Sequence, residues 1–547
     1  MNPRRLLSVV GGVVAAFSAA ATPWRTAAGR DEPPAKSLGR LDEEFAASAK
    51  DLVRRSEAEG FAKLAELVGR WQLPEETDRQ FAFAIPARAV PPGWIEKDVG
   101  TAIWNDFIAA RRARAAGIFE HAIAASREHD RVPTRDELAK PDPDKPPLAQ
   151  ASCEVVRLLA RVLRDDPDHE RAREALGWAK RGDSWAWPEA ARRLDKGEEF
   201  DAAFGWLPKG RLARYRSGER YDRGRWLTAE ADAARTLAVD RGRRFDSDHW
   251  EILSPAPLSS AAALAQRLET TFIVWRQVFG AFGLEPADLE KRLKGRGRIV
   301  PHDPFAAVLC IDRRQYVTEL AKLEPSIGRT NGLYWPPTKT AWYFDESADK
   351  AAEGDESADK AAKVDEPTDK AAEGIPPAAA DSSGGLEAFT VHHEATHQLF
   401  AEIHPTMRKV AALAGERCGF WAIEAAACYM ESIAAADFGW TVGGRDAGRV
   451  PAARERLVED EFHVPLEELA AMGRKAFQSD ARLPQIYSEI AGLADFFMNG
   501  QRGRYREAFV EYLSRVYAGT ADPETLSRLC RRTYAGLDAD YRRHLSQ

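Results

Sequence analysis

Between Asp345 and Gly374 the chain repeats one ten-residue unit three times, as DESADKAAEG, DESADKAAKV and DEPTDKAAEG. The apolar side chains in these copies are alanines and one valine, far too little to offset the conformational entropy of ordering the segment. The unit reads as a solvated, disordered insert that continues through a Pro/Ala/Ser/Gly stretch to Gly385, a tether or spacer without chemistry of its own. Whatever fold the 547 residues adopt must leave this stretch outside its core. The eleven acidic residues and four lysines of 345–374 carry a net charge of −7, the same as the whole chain, so the remaining residues sum to zero. That balance argues against the basic face of a general nucleic-acid-binding protein, and no nucleic-acid partner is expected.

At 44% hydrophobic residues the chain has ample material for packed cores in two or three domains. Five cysteines (Cys153, Cys310, Cys418, Cys428, Cys530) are spread too widely to form a disulfide framework, and their spacing selects no pair. Arg4 and Arg5 precede an uncharged run, Leu6 to Ala21, with a small-residue end, which reads as a signal peptide over residues 1–29. The rival reading is an N-terminal membrane anchor, for which the run falls short of the roughly 20 residues a spanning helix needs. The expectation is an exported protein, periplasmic or extracellular, with no membrane association once the signal is cleaved.

Residues 30–180 read as a mainly helical region, with apolar positions three and four apart in LDEEFAASAKDLVRRSEAEGFAKLAELVGRW and EVVRLLARVLRDDPDHERAREALGW, interrupted by the prolines of 133–147. Residues 181–244 form a small Trp-rich module. Gly182-Asp-Ser-Trp185 with Glu189-Ala190 is echoed by Gly224-Arg-Trp226 with Glu230-Ala231, and Trp206 lies between. Such tryptophans offer either a flat binding surface or the core of a small mixed module, and the second is the expectation. From residue 245 the order is strand (HWEILSP), long helix, strand (FAAVLCID), helix start (YVTEL) and two short strands around a Pro-Pro turn (TNGLYWPPTKTAWYFD), then helices to the end, an α+β order.

Directly after the insert comes LEAFTVHHEATHQLFAEIHP, in which His393, Glu394 and His397 form H-E-x-x-H. Residues four apart lie about 40° apart around a helix axis, so both imidazoles can face one ion, while Glu394 reaches a water instead of the metal. This is the zinc hydrolase arrangement, in which Zn²⁺ lowers the pKa of water toward about 7 and the glutamate takes its proton. A solvated helix face with clustered histidines is the plainer alternative, and a third ligand decides between them. The helical segment FWAIEAAACYMESIAAADFG puts Glu424, Cys428 and Glu431 on one face. Glu424 is the expected third ligand, with Glu431 accepting from an imidazole N–H behind it. Glu416 competes on spacing alone and Cys428 as a softer donor.

The run Glu424 to Glu431 (EAAACYME) resembles the E-G-x-A-x-Y-x-E segment that follows H-E-x-x-H in gluzincin-like proteins. Residues 245–547 resemble the bacterial domain-of-unknown-function family numbered 1570, through HWEILSP, LETTFIVWRQVFG, TNGLYW, HEATHQLF, the Glu424 helix and YREAFVEYLSRVYAG. The resemblance implies a zincin-like metallopeptidase domain with an edge strand above the cleft and the third ligand on a second helix. It also implies that Tyr487, in LPQIYSEIAGLADFF, donates to the oxyanion. Ala425 stands where the pattern has Gly, and its methyl group would crowd a neighbouring helix. Arg502, Arg504 and Tyr505 are read as loop residues.

The combined expectation is an α+β chain: a mainly helical, Trp-containing N-terminal region followed by a zincin-like domain that carries the insert at 345–385. Its function is that of an exported zinc-dependent metallopeptidase-like hydrolase acting on peptides or proteins, with Thr340–Phe344 as the edge strand that binds extended substrate. The alternative is a non-catalytic envelope scaffold that retains the fold and meets an envelope protein partner through its N-terminal half. A peptidase held latent by that half ranks below both, since no cysteine switch or cleavage signal is evident.

Overall fold

The computed structural model describes residues 37–71, 78–85, 101–126, 151–280, 286–296, 302–324, 327–345, 388–403 and 414–546, with Phe282 and Leu284. The expected signal peptide, the Pro-rich 133–147 stretch and the insert beyond Asp345 lie outside the described residues.

The N-terminal region is helical as its periodicity implies. Leu41, Phe45, Ala49 and Leu52 form the buried stripe of Leu38–Ala58, whose first turn is capped by the Ser37 hydroxyl accepting from the Arg40 N–H. This helix lies on Thr101–Ala125, where Gly117 leaves room for Leu41: a Cβ there would sit 2.6 Å from Leu41 Cδ2. At the join with Ala151–Asp165, Arg114 donates to Asp165 at 2.6 and 2.7 Å and Trp71 Nε1 donates at 3.0 Å. Burial alone would raise the Asp165 pKa, but these donors hold it below the ordinary carboxylate value.

One short strand ties this region to the C-terminal half. Gln80–Phe83 pairs antiparallel with Gly439–Val442, which also pairs with Ala434–Ala436. The sequence order suggested only helices after the insert, so this hairpin is a difference. It rests on Gly439, where a Cβ would approach Ala82 O to 2.1 Å, and on Phe438 in the left-handed region at φ 62°.

The Trp-rich module holds three units where the sequence showed two. Each is a hairpin followed by a helix: Ala179–Arg181 with Ser184–Ala186 and Pro188–Asp195; Glu198–Asp201 with Gly205–Pro208 and Lys209–Arg216; Glu219–Asp222 with Arg225–Thr228 and Ala229–Ala233. Trp185, Trp206 and Trp226 occupy the same place in each second strand. Gly177, Gly197 and Gly218 precede the first strands, all at positive φ. Trp185 and Trp206 are buried, in line with the core reading.

The main sheet has five strands in the order Leu333–Trp335, Thr340–Phe344, Phe305–Cys310, Trp250–Ser254, Arg243–Asp246. The middle two pairings are parallel and the outer two antiparallel. Thr340–Phe344 is therefore not the edge strand. It is paired on both sides, by Phe305–Cys310 and by Leu333–Trp335, and Leu333–Trp335 is the edge. One large core joins this sheet, the long helix Leu258–Val278 and the C-terminal helices. Among the described residues no helix is long and apolar enough to cross a membrane, and Cys310, Cys418, Cys428 and Cys530 are buried free thiols.

His463 fastens two of the C-terminal helices. Its Nδ1 meets Glu489 of Leu483–Gly503 at 2.6 Å and its Nε2 meets Asp538 of Tyr534–Ser546 at 3.3 Å. Burial lowers the imidazole pKa, but Asp538 and Glu489 outweigh it and raise the value to about 9. The protonated form is therefore favoured in the folded state. Its contribution is complete below the unfolded value of about 6.5 and is lost as pH rises through about 9. We predict that His463→Gln costs up to about 3 kcal/mol near pH 6 and that the gap from wild type closes toward about pH 10. Urea unfolding of both proteins across this range checks it, and a pH-independent gap would contradict the assignment.

Candidate metal centre

The helix Ala388–Glu402 carries both histidines of the motif, and its other side is packed and tethered. Val391, Ala395 and Leu399 enter the core. Gln398 accepts from Trp250 Nε1 at 3.0 Å and donates to Ala306 O at 3.0 Å, while Tyr334 OH donates to Glu402 at 3.2 Å. Thr271 Oγ1 meets His392 Nδ1 at 2.7 Å. Contacts with two inner strands, the edge strand and the long helix thus fix the rotation of this helix about its axis.

The free face presents the predicted ligands together. His393 Nε2 and His397 Nε2 are 3.1 Å apart, and the Glu424 carboxylate lies 3.5 Å from the first and 3.7 Å from the second. Bonds of about 2.0–2.2 Å to a tetrahedral ion put neighbouring donors about 3.3 Å apart, so the three side chains fit a small divalent cation of the zinc class and leave a fourth position. Glu424 comes from Phe420–Met430, a helix buried along its whole length. Burial would raise its pKa, but His397, His393 and Tyr487 bring it down to about 2, so it is ionised. Burial pushes His397 down to about 4, against the pull of Glu424. His393 is held above its ordinary value because its bonds to Cys428, Glu424 and Glu431 outweigh burial. The two ring nitrogens lie within hydrogen-bonding distance, and the opposite pKa directions favour the proton on His393 over His397.

Behind His393, Nδ1 meets Glu431 at 2.8 Å, and Arg449 grips the same carboxylate through Nε at 2.7 Å and Nη2 at 3.0 Å. With Nδ1–H donating to Glu431, Nε2 is the nitrogen turned to the ligand position. Sequence reasoning missed Arg449, which lies past a hairpin with no motif around it. The competitors fall away. Glu416 is paired with Arg474 at 2.7 Å on the surface side. Cys428 groups with His393 and Glu431, and burial pushes its pKa up to about 11, so it is an un-ionised thiol at neutral pH. Ala425 is fully buried, and its methyl group does not keep Glu424 from reaching both histidines.

Tyr487 reaches the centre, and its hydroxyl donates to Glu424 at 3.0 Å. Burial and the adjacent carboxylate raise its pKa, so the phenol keeps its proton. Tyr505, read as a loop residue, is instead buried and donates to Asp540 at 3.0 Å.

Glu394 stands apart from the three ligands and accepts the backbone N–H of Tyr334 at 2.7 Å. Burial raises its pKa, with His393 and this N–H opposing. The edge strand comes this close because Gly332 has no side chain: a Cβ there would lie 2.6 Å from Thr390 Cγ2 and 3.0 Å from Glu394 Cγ.

No known protein family, no curated protein and no solved structure matches this chain.

Two outcomes follow from the geometry. A metal needs His393 Nε2 free of its proton, and the raised pKa of His393 opposes that, so Zn²⁺ binding at neutral pH releases up to about one proton. Calorimetry in buffers of different ionisation enthalpy measures it, and no release would show that the pair is already neutral. Glu431→Gln keeps the side-chain shape but frees Arg449 and loosens His393, lowering zinc affinity about 10–100-fold in a chelator competition. Unchanged affinity would remove Glu431 from the site.

Proposed function

We propose that the protein is a zinc-dependent hydrolase of peptide bonds, of the gluzincin-like class its sequence resembles. What carries the reading is the separation of roles at one place. Two neutral-capable imidazoles and one carboxylate have the spacing of metal ligands, and a second carboxylate, Glu394, lies beside them with another partner. A site that merely held an ion for stability has no use for a buried base next to the open position.

Bound zinc would supply Lewis acidity, lowering the pKa of water and polarising a carbonyl. Glu394 takes the proton of the attacking water and passes it to the leaving amine, a role suited to a carboxylate whose basicity burial increases. Tyr487, protonated and beside the ligand Glu424, donates to the oxygen of the tetrahedral intermediate once it turns from that carboxylate. Leu333–Trp335 ends the sheet next to Glu394, so an extended peptide added to that edge passes over the base. Together with the N-terminal signal pattern, this makes the protein an exported peptidase whose partners are peptides or proteins.

The test is metal content by elemental analysis, run beside hydrolysis of an unfolded protein substrate. Wild type carries about one zinc per chain, His397→Ala loses it, and Glu394→Gln keeps it while hydrolysis falls about 10²–10⁴-fold. Zinc-free wild type, grown with zinc and purified without chelators, would move the assignment to a non-catalytic envelope scaffold. Full activity in Glu394→Gln would remove the base from its role.

A further inference from the structure

We propose that the cleft at the C-terminal end of the Leu483–Gly503 helix is a binding site for a compact anion carrying two or more charges, with phosphoryl or carboxylate groups. The cleft has a volume of about 370 Å³, within the range of small-molecule sites. At roughly 30 Å³ per water it has room for about a dozen waters or a ligand of similar size. Its walls include Arg504, Tyr505, Arg532, Asp540, Arg543 and His544.

Charge is the first argument. Three guanidinium groups line the cleft against one carboxylate, and that carboxylate is already used. Asp540 is buried and accepts from Tyr505 OH at 3.0 Å, Arg532 Nη2 at 3.1 Å and Arg543 Nη1 at 3.0 Å. Arg504 makes no ion pair among the described residues, and its guanidinium lies 5.9 Å from the Tyr505 ring centre. The nearby Asp495 is taken by His544 Nε2 at 2.9 Å, the Gly444 N–H at 2.7 Å and Asn499 Nδ2 at 2.7 Å. A cleft with this cationic excess is balanced by an anion from outside, and arginine forks suit phosphoryl and carboxylate oxygens.

The second argument is how the cations converge. Arg543 sits in the last turn of Tyr534–Ser546, where a cation complements the helix dipole without any ligand. That account covers neither Arg504 nor Arg532, which come from two other segments. Arg504 is brought to the cleft by a break in the Leu483–Gly503 helix. Gly500 leaves helical geometry at ψ 141°, and Gln501 and Arg502 follow at φ 50° and 61°, in the left-handed region that non-glycine residues rarely occupy. Such conformations persist where the surroundings hold them, and they cluster at binding sites. Tyr487 lies thirteen residues earlier on the same helix, about 20 Å along its axis, so the cleft is separate from the metal centre.

The experiment is titration calorimetry of the full chain with pyrophosphate and with citrate, at about 0.15 M potassium chloride to screen diffuse attraction. Wild type shows saturable binding of at least one of them at millimolar or lower concentration. Pyrophosphate alone identifies a phosphoryl ligand, citrate alone a carboxylate ligand, and both together a general polyanion site. Arg504→Ala/Arg543→Ala weakens binding at least tenfold, and since both side chains are exposed, its thermal midpoint without ligand stays near that of wild type. Should that variant fold poorly, Arg504→Glu alone reverses one exposed charge and abolishes binding. His397→Ala binds as wild type does, which keeps this test independent of the metal assignment. No saturable heat with either anion, affinity unchanged in the arginine variants, or binding lost in His397→Ala would each overturn the proposal.

Discussion

Two buried carboxylates, Glu424 and Glu431, and a half-buried one, Glu394, surround two imidazoles in the protein core, and the surrounding structure is arranged to make that tolerable. An unpaired buried charge costs several kcal/mol, so each of these groups needs its own partner. Glu424 has the two histidines and the Tyr487 hydroxyl, Glu431 has His393 and Arg449, and Glu394 has the Tyr334 N–H. The carboxylates and their partners together come from five separate stretches of chain. The sheet edge, the two ligand helices, the Arg449 turn and the Tyr487 helix must converge, because leaving any of them out strands a charge.

The parts of this site that are visible in sequence are those set by helical geometry alone. His393 and His397 are four apart, and Glu424 and Glu431 are seven apart on one face, so their mutual orientation follows from the backbone repeat. Arg449 is not visible, because its meeting with Glu431 depends on how the hairpin Ala434–Val442 returns the chain. The edge strand was placed one strand too far inward for a similar reason. Both arms of the 333–344 hairpin alternate alike, and only the parallel pairing of Thr340–Phe344 with Phe305–Cys310, thirty residues away or more, decides which arm is outermost. The middle hairpin–helix unit was hidden because Gly210-Arg211 stands where its neighbours have Glu-Ala four residues after the Trp, and its loop, Ala202 to Phe204, is one residue longer, even though Trp206 keeps its place.

A buried polar relay links the N-terminal strand to the ligand helix. Gln80 Nε2 donates to Tyr429 OH at 2.8 Å, and Tyr429 OH lies 3.1 Å from Asn499 Oδ1, on the helix that also carries Tyr487. Tyr429 is five residues, about 1.4 turns, beyond Glu424. Burial raises the Tyr429 pKa, so at neutral pH it is a phenol that can both donate and accept. Gln80 belongs to the strand that pairs with Gly439–Val442, and Gln277 fastens the same strand from the long helix, donating to Phe83 O and accepting the Phe83 N–H, each at 2.9 Å.

This placement changes what the N-terminal region is for. A helical appendage joined by a linker could be lost without consequence to a distant site. Here one strand of that region completes a sheet, and its Gln80 side chain donates to Tyr429 on the helix that carries Glu424. The ligand helix is apolar except at Glu424 and Glu431, so its position is set by packing and by the few directional bonds it makes. Close packing and the directional bonds through Tyr429 both resist displacement of this helix. Through the Gln80–Tyr429 bond and the pairing of Gln80–Phe83 with Gly439–Val442, the N-terminal region is joined directly to the helix that carries Glu424.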